Sequence, residues 1–213
     1  MSNKRWLVPL TGLVFIVLMI IGFIVSGEPP DADEDVQKIV NFYVDDKGSI
    51  EAGVFLLALG VTFFVFFANY LRILFRASAT SATILVGAAI FAVGGAIDGT
   101  LLIAMAEGAD NDVPPETIQS LQVFWDNDFL PLAIGIAVFL VSIGSSILST
   151  GVLPRWLGWV VLVVALISVT PLGFFAFPLT GLLVLVLSIW LTMRERSASA
   201  PPPAAPPPAP AVQ

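Results

Sequence analysis

The chain has 213 residues, carries 9 Lys+Arg against 16 Asp+Glu for a net charge of −7, and is 57% hydrophobic with a mean hydropathy of +0.96. Charged residues make up 12%, about half of what a soluble domain carries, so long stretches must lie in lipid and the composition predicts an all-α integral membrane helical bundle. There is no cysteine and no histidine, which excludes disulfides, thiolate chemistry, Cys/His zinc sites, imidazole-ligated haem and Ser-His or Cys-His couples.

A crossing helix needs roughly 20 apolar residues to span about 30 Å of hydrocarbon. Runs of that length, bounded by charge, Pro or Gly, occur at 6–25, 52–75, 82–106 and 129–150. The last apolar stretch, 156–193, would as one helix be roughly 57 Å long, so it is predicted to fold back between Thr170 and Pro178. That gives spans 156–172 and 174–193, six in all, within a membrane domain of residues 1–196. Residues 197–213, rich in Ala and Pro and free of charge, read as a disordered cytoplasmic tail. Span 1, with Lys4-Arg5 before it and Ser26-Gly27 after it, also has the outline of a signal peptide, although its apolar core exceeds the usual length of about 7–15 residues.

With the N-terminus inside, Lys4, Arg5, Arg72, Arg76, Arg155, Arg194 and Arg196 are cytoplasmic and only Lys38 and Lys47 lie outside, the asymmetry expected of cytoplasmic flanks. Both termini are therefore predicted inside. A single span over 156–193 would move Arg194 and Arg196 outside and lose that asymmetry. The acidic residues gather in the two outer loops, from Glu28 to Glu51 and from Glu107 to Asp128. No basic stripe exists to neutralise phosphates, so nucleic acid is not a predicted partner; the bilayer is.

Each outer loop contains an amphipathic segment. Val36, Ile39, Val40, Tyr43 and Val44 share one helical face, preceded by Asp31 and Glu34 at capping-box spacing. Pro114-Pro115 open a second helix bearing Ile118, Leu121 and Trp125, with Trp125 expected at headgroup level. The two either cap the bundle together or lie separately on the surface. Asp31 to Asp35 is no EF-hand, because Val36 and Phe42 stand where Gly and Glu are required; no metal and no cofactor is predicted.

Asp98 is the one ionisable residue deep in a span, roughly 6 Å beyond the midpoint toward the outer face. No Lys or Arg lies at matching depth, so a charged Asp98 would cost several kcal/mol unless it finds a proton, a hydroxyl or water. Thr62, Ser142, Ser145 and Ser168 are the candidate polar partners. Gly87, Gly94, Gly95 and Gly99 form a small-residue face for close helix packing, which suits a homo-oligomer or a membrane-protein partner as well as the bundle itself. Asp98 is then either a structural carboxyl joining helices or a proton or cation site. The span 4 serines have no base to activate them, so no hydrolytic activity is predicted.

Arg72 and Arg76 end span 2 on the inner side, and Arg155, Trp156 and Trp159 open span 5; all five read as interface anchors. Arg155 stands in Leu153-Pro154-Arg155-Trp156-Leu157-Gly158-Trp159. This string resembles a signature of small multi-span bacterial membrane proteins, common in actinobacteria and grouped as a domain of unknown function. The resemblance covers about residues 5–195. It implies a bacterial inner membrane and a multi-span fold, and it carries no site residues. Two functions of different class remain: a non-catalytic membrane protein acting through helix packing and protein or lipid contacts, and a small proton- or cation-coupled transporter or channel subunit using Asp98.

Overall fold

The computed structural model describes residues 5–170 and 172–198, and those residues form an all-α helical bundle. The helices are α1 (Leu10–Ser26), α2 (Val36–Asp45), α3 (Lys47–Leu74), α4 (Ser81–Asp110), α5 (Pro115–Asp126), α6 (Leu130–Thr150), α7 (Arg155–Ser168) and α8 (Gly173–Ala198). α8 continues to Ala198, two residues into the tail expected from residue 197; the rest of that expected tail, and Pro171 at the expected fold-back, lie outside the described residues.

Four helical stretches, contained in α3, α4, α6 with its preceding turn and α5, and α8, are long and apolar enough to cross a membrane. Large apolar side chains on them face outward, Phe55 at 70% exposure among them, which water would penalise and acyl chains do not. The other two apolar helices are shorter. α1 has 17 residues and α7 has 14, or about 26 and 21 Å against a hydrocarbon core of about 30 Å. Span 1 was expected to begin at residue 6; instead a 3-10 turn at Arg5–Leu7 precedes Pro9, and α1 starts only at Leu10. Ser188 of α8 stabilises that start. Its hydroxyl donates to the Pro9 carbonyl at 2.6 Å and accepts from the Leu13 amide at 2.9 Å, standing between the two groups that would otherwise close a helical hydrogen bond.

Neighbouring helices pack in the order α1, α3, α4, α6, α7, α8, and α8 returns to α1, so the six apolar helices close a ring. Arg194 near the end of α8 donates to the Val152 carbonyl just before α7 at 3.1 Å, so α7 and α8 form the antiparallel hairpin that the length of 156–193 demanded. Pro178 lies inside α8 and not at the break. α6 ends where Gly151 adopts a left-handed φ of 64°, a C-cap that glycine accepts without a Cβ penalty.

Four phenylalanines fill the middle of the ring. Phe64 of α3 lies 4.8 Å from Phe15 of α1, 5.2 Å from Phe91 of α4 and 4.8 Å from Phe139 of α6, centroid to centroid. α4 and α6 approach closely because glycines stand opposite phenylalanines in both directions: a Cβ on Gly87 would lie 2.3 Å from the Phe139 nitrogen, and one on Gly135 would lie 2.4 Å from the Phe91 nitrogen. The glycines of α4 do not form the single face expected of them. Gly87 and Gly94 meet α6, whereas Gly99 meets Val54 of α3, and Gly95 has room, with Val61 Cγ2 at 3.8 Å from a built Cβ.

α2 and α5 close the outer end together. Ile39 and Tyr43 of α2 and Ile118 of α5 bury against Ile50 and Val54 of α3 and Leu102, Met105 and Ala106 of α4, forming a second core. The cap of α2 is Asp35, whose carboxylate accepts from the amides of Gln37 and Lys38, not Asp31, which only closes the preceding turn onto Glu34. The sequence pairs Asp31 with Glu34 at capping-box spacing, but Asp35, directly before α2, is the acid with the reach of a cap.

Candidate functional site

Under this cap lies a cavity of about 450 Å³, lined by the C-terminal end of α1 and its continuation to Pro29, by Ile50 and Leu57 of α3, by Asp98 and Leu102 of α4 and by Trp125 of α5. Asp98 is half-buried and contributes the only carboxylate on its helical walls; Glu28 is the other acid in the lining. No basic residue lines it. Lys47 at the start of α3 is engaged with Asp110 at 2.8 Å and Glu107 at 3.1 Å.

None of Thr62, Ser142, Ser145 and Ser168 meets Asp98 among the described residues. Thr62 donates to its own Ala58 carbonyl at 3.0 Å, Ser142 to Val138 at 2.6 Å and Ser168 to Ala165 at 2.7 Å. The α4–α6 register explains the miss. Gly94 meets Leu132, Gly87 meets Phe139 and Thr83 pairs with Ser142, so continuing outward brings Asp98 level with Asp128 and leaves Ser142 and Ser145 in the inner half. There Thr83–Ser142 at 2.7 Å and Thr80–Ser146 at 3.0 Å form a hydroxyl ladder between helices, a packing device.

Trp125 and Asp128 are the neighbours of Asp98, both within electrostatic reach of its carboxylate. Trp125 is turned inward, not toward the headgroups as expected. Its buried indole N–H is directed at the Asp98 carboxylate, whereas the Oδ2 of Asp128 is buried without a hydrogen-bond partner, although a polar atom in such a place ordinarily has one. No three Asp or Glu among the described residues stand close enough together to hold a metal ion.

A polar clasp joins the two cap helices beside the cavity. Tyr43 donates to Gln122 Oε1, Gln122 Nε2 donates to Asp126 Oδ1 at 2.9 Å, and Asp126 Oδ2 accepts from the Ala32 amide at 3.1 Å. Gln119 adds a bond to the Ala32 carbonyl at 3.1 Å. Burial, then the carboxylates of Asp126 and Asp98, push the Tyr43 phenol above its ordinary range. An unfolded tyrosine releases its proton at about pH 10 while the folded one retains it, so the clasp contributes fully below about pH 10 and its contribution falls as pH rises beyond. Tyr43→Phe is expected to lower stability by about 1–3 kcal/mol, because Gln122 Oε1 stays buried and loses its donor. It should also flatten that alkaline decline in thermal unfolding; an unchanged profile would remove Tyr43 from the clasp.

At the opposite end Arg72, Arg76, Arg155, Trp156 and Trp159 are exposed, both tryptophans at 63%. Arg196 stacks over the Trp6 ring at 4.2 Å, and Tyr70 donates to Glu195 at 3.2 Å. The ends of α1, α3, α7 and α8 expected on one side of the membrane thus meet at one end of the bundle. Comparison with family models, with curated proteins and with solved structures finds no match for this chain.

Proposed function

We propose that this chain is a non-catalytic six-span protein of a bacterial cell membrane, with both termini cytoplasmic, that takes up a proton or cation from the outer side at Asp98, as a small transporter or channel subunit does. The observation that carries the reading is the cavity joining Asp98 to the capped outer end. Its surroundings agree in sign: acidic loops flank it and no base opposes it, so a cation is both attracted and left without a competitor inside. The inner route is closed by the four phenylalanines, with Phe91 two turns of α4 inward of Asp98, or about 10 Å. The LPRWLGW resemblance is consistent with the span count and adds no chemistry.

The second reading, action through helix packing and protein or lipid contacts alone, is favoured by the reciprocal Gly87–Phe139 and Gly135–Phe91 contacts, because they account for much of the small-residue content without any ligand. Flux separates the two. In proteoliposomes, wild-type protein is expected to carry proton or monovalent cation current that Asp98→Asn, folded by gel filtration and thermal unfolding, loses at least about tenfold, since Asn keeps the volume but carries no charge. Equal flux from both proteins returns the account to packing. Topology has its own check in this chain without native cysteine: Cys at Asp33 and Ser120 should react with an impermeant thiol reagent from outside, and Cys at Ser197 only after the membrane is opened.

A further inference from the structure

We propose that the ligand of the outer cavity is an organic cation with an apolar body, an amine, quaternary ammonium or phosphonium of small-molecule size, held between Asp98 and the indole of Trp125. This deepens the reading of Asp98 as a cation site and rests on it.

The size of the cavity argues first. A volume of about 450 Å³ lies within the range of pockets that enclose small organic ligands and far exceeds what a proton or a bare metal ion fills. The walls argue next. Phe23, Ile50, Leu57 and Leu102 present hydrocarbon, and Asp98 and Glu28 are the acids among them. A strongly hydrated inorganic ion entering this space would exchange its water for two carboxylates and apolar surface. The desolvation cost is large for a compact charge and small for one spread over carbon substituents. The absence of a three-carboxylate or mixed ligand cluster among the described residues agrees, since calcium and magnesium need six or more oxygens.

Aromatic groups supply the remaining recognition. Phe23 and Trp125 both line the cavity, and indole is the best of the side-chain faces for an organic cation. Trp125 is also partly exposed, so its ring is available to a ligand while its indole N–H is directed at the Asp98 carboxylate. Asp128, with its buried Oδ2 unpaired, adds negative potential behind Asp98. A zwitterionic lipid headgroup meets the same ammonium site but brings a phosphate that finds no Lys or Arg in the lining, so a free cation is the better complement.

Equilibrium binding of radiolabelled tetraphenylphosphonium to the purified full-length protein, in a neutral detergent, tests this. Saturable binding near one site per chain is expected, competed by unlabelled tetraphenylphosphonium and poorly by the neutral triphenylphosphine oxide or by phosphocholine. Asp98→Asn should weaken it at least about tenfold, and Trp125→Leu about tenfold with Trp125→Phe much less affected. Trp125→Leu keeps the test valid if Asp98→Asn fails to fold. Competition by triphenylphosphine oxide equal to that by the cation, or unchanged binding in both variants, would overturn the proposal and mark an apolar crevice. Stronger competition by phosphocholine than by the free cation would overturn it in favour of a headgroup. No tetraphenylphosphonium binding, in a protein whose proton or inorganic cation flux still depends on Asp98, would overturn the ligand class and leave the cation site itself standing.

Discussion

Gly87→Leu is expected to be the most damaging single substitution in the bundle, abolishing the compact state in mild detergent or lowering its stability by more than about 3 kcal/mol. A Cβ at Gly87 would lie 2.3 Å from the Phe139 nitrogen and 2.7 Å from its Cα. These are backbone atoms, so no rotamer change relieves the clash; α6 itself must move. Moving α6 separates Phe139 from Phe64 and carries Gly135 away from Phe91, so two contacts on one helix pair fail together. Gly95→Ala provides the contrast. A Cβ there meets only Val61 Cγ2, at an ordinary 3.8 Å, and alanine in a helix gains roughly 0.5–1 kcal/mol over glycine. Thermal unfolding in detergent should place Gly95→Ala at or above wild type and Gly87→Leu far below it.

Phe64→Ala is expected to have the second largest effect, and to have it twice. Phe64 is 2% exposed and touches Phe15, Phe91 and Phe139, so truncating it removes the shared member of the cluster. Loss of a buried phenylalanine costs about 3–5 kcal/mol where the surroundings do not collapse. The functional consequence follows from position. The cluster lies inward of Asp98, so under the proposed pathway opening it should raise passive cation flux in proteoliposomes severalfold. That added flux should vanish in the double variant Phe64→Ala with Asp98→Asn. Flux that rises without any dependence on Asp98 would mean the leak bypasses the cavity.

Much of this architecture is legible in one sequence because membrane helices are punctuated by composition. The fourth span was expected at 129–150 and the helix runs Leu130–Thr150, since Asp128 and Gly151 leave little freedom at either end. The amphipathic segments of the outer loops became α2 and α5 for a similar reason: a period of 3.6, with the Asp35 cap starting α2 and Pro115 starting α5. Position between helices was not legible. Depth counting assumed that each span begins at the membrane surface, yet α3 starts at Lys47 and α4 continues to Asp110, both well outside the predicted spans. That offset placed Ser142 beside Asp98, where the structure has Asp128. The register is set by Gly87 against Phe139 and Gly135 against Phe91, a pairing visible only when both helices are read together. Trp125 was misplaced because an aromatic residue near a helix end fits a headgroup anchor equally well; only the docking of α5 onto α4 turns it toward Asp98.

The central claim is that Asp98 is reached from the outer side and from nowhere else. Asp98→Cys in this chain without native cysteine, carried in sealed right-side-out vesicles, measures it directly. The thiol should react from outside with an impermeant trimethylammonium thiosulfonate, faster than with the sulfonate-bearing analogue because Glu28 and Asp128 repel the anion, and it should stay unreacted when the same reagents are confined to the inside. Reaction from the inside alone, or no reaction from either side while Cys at Ser120 is fully labelled from outside, would contradict the account.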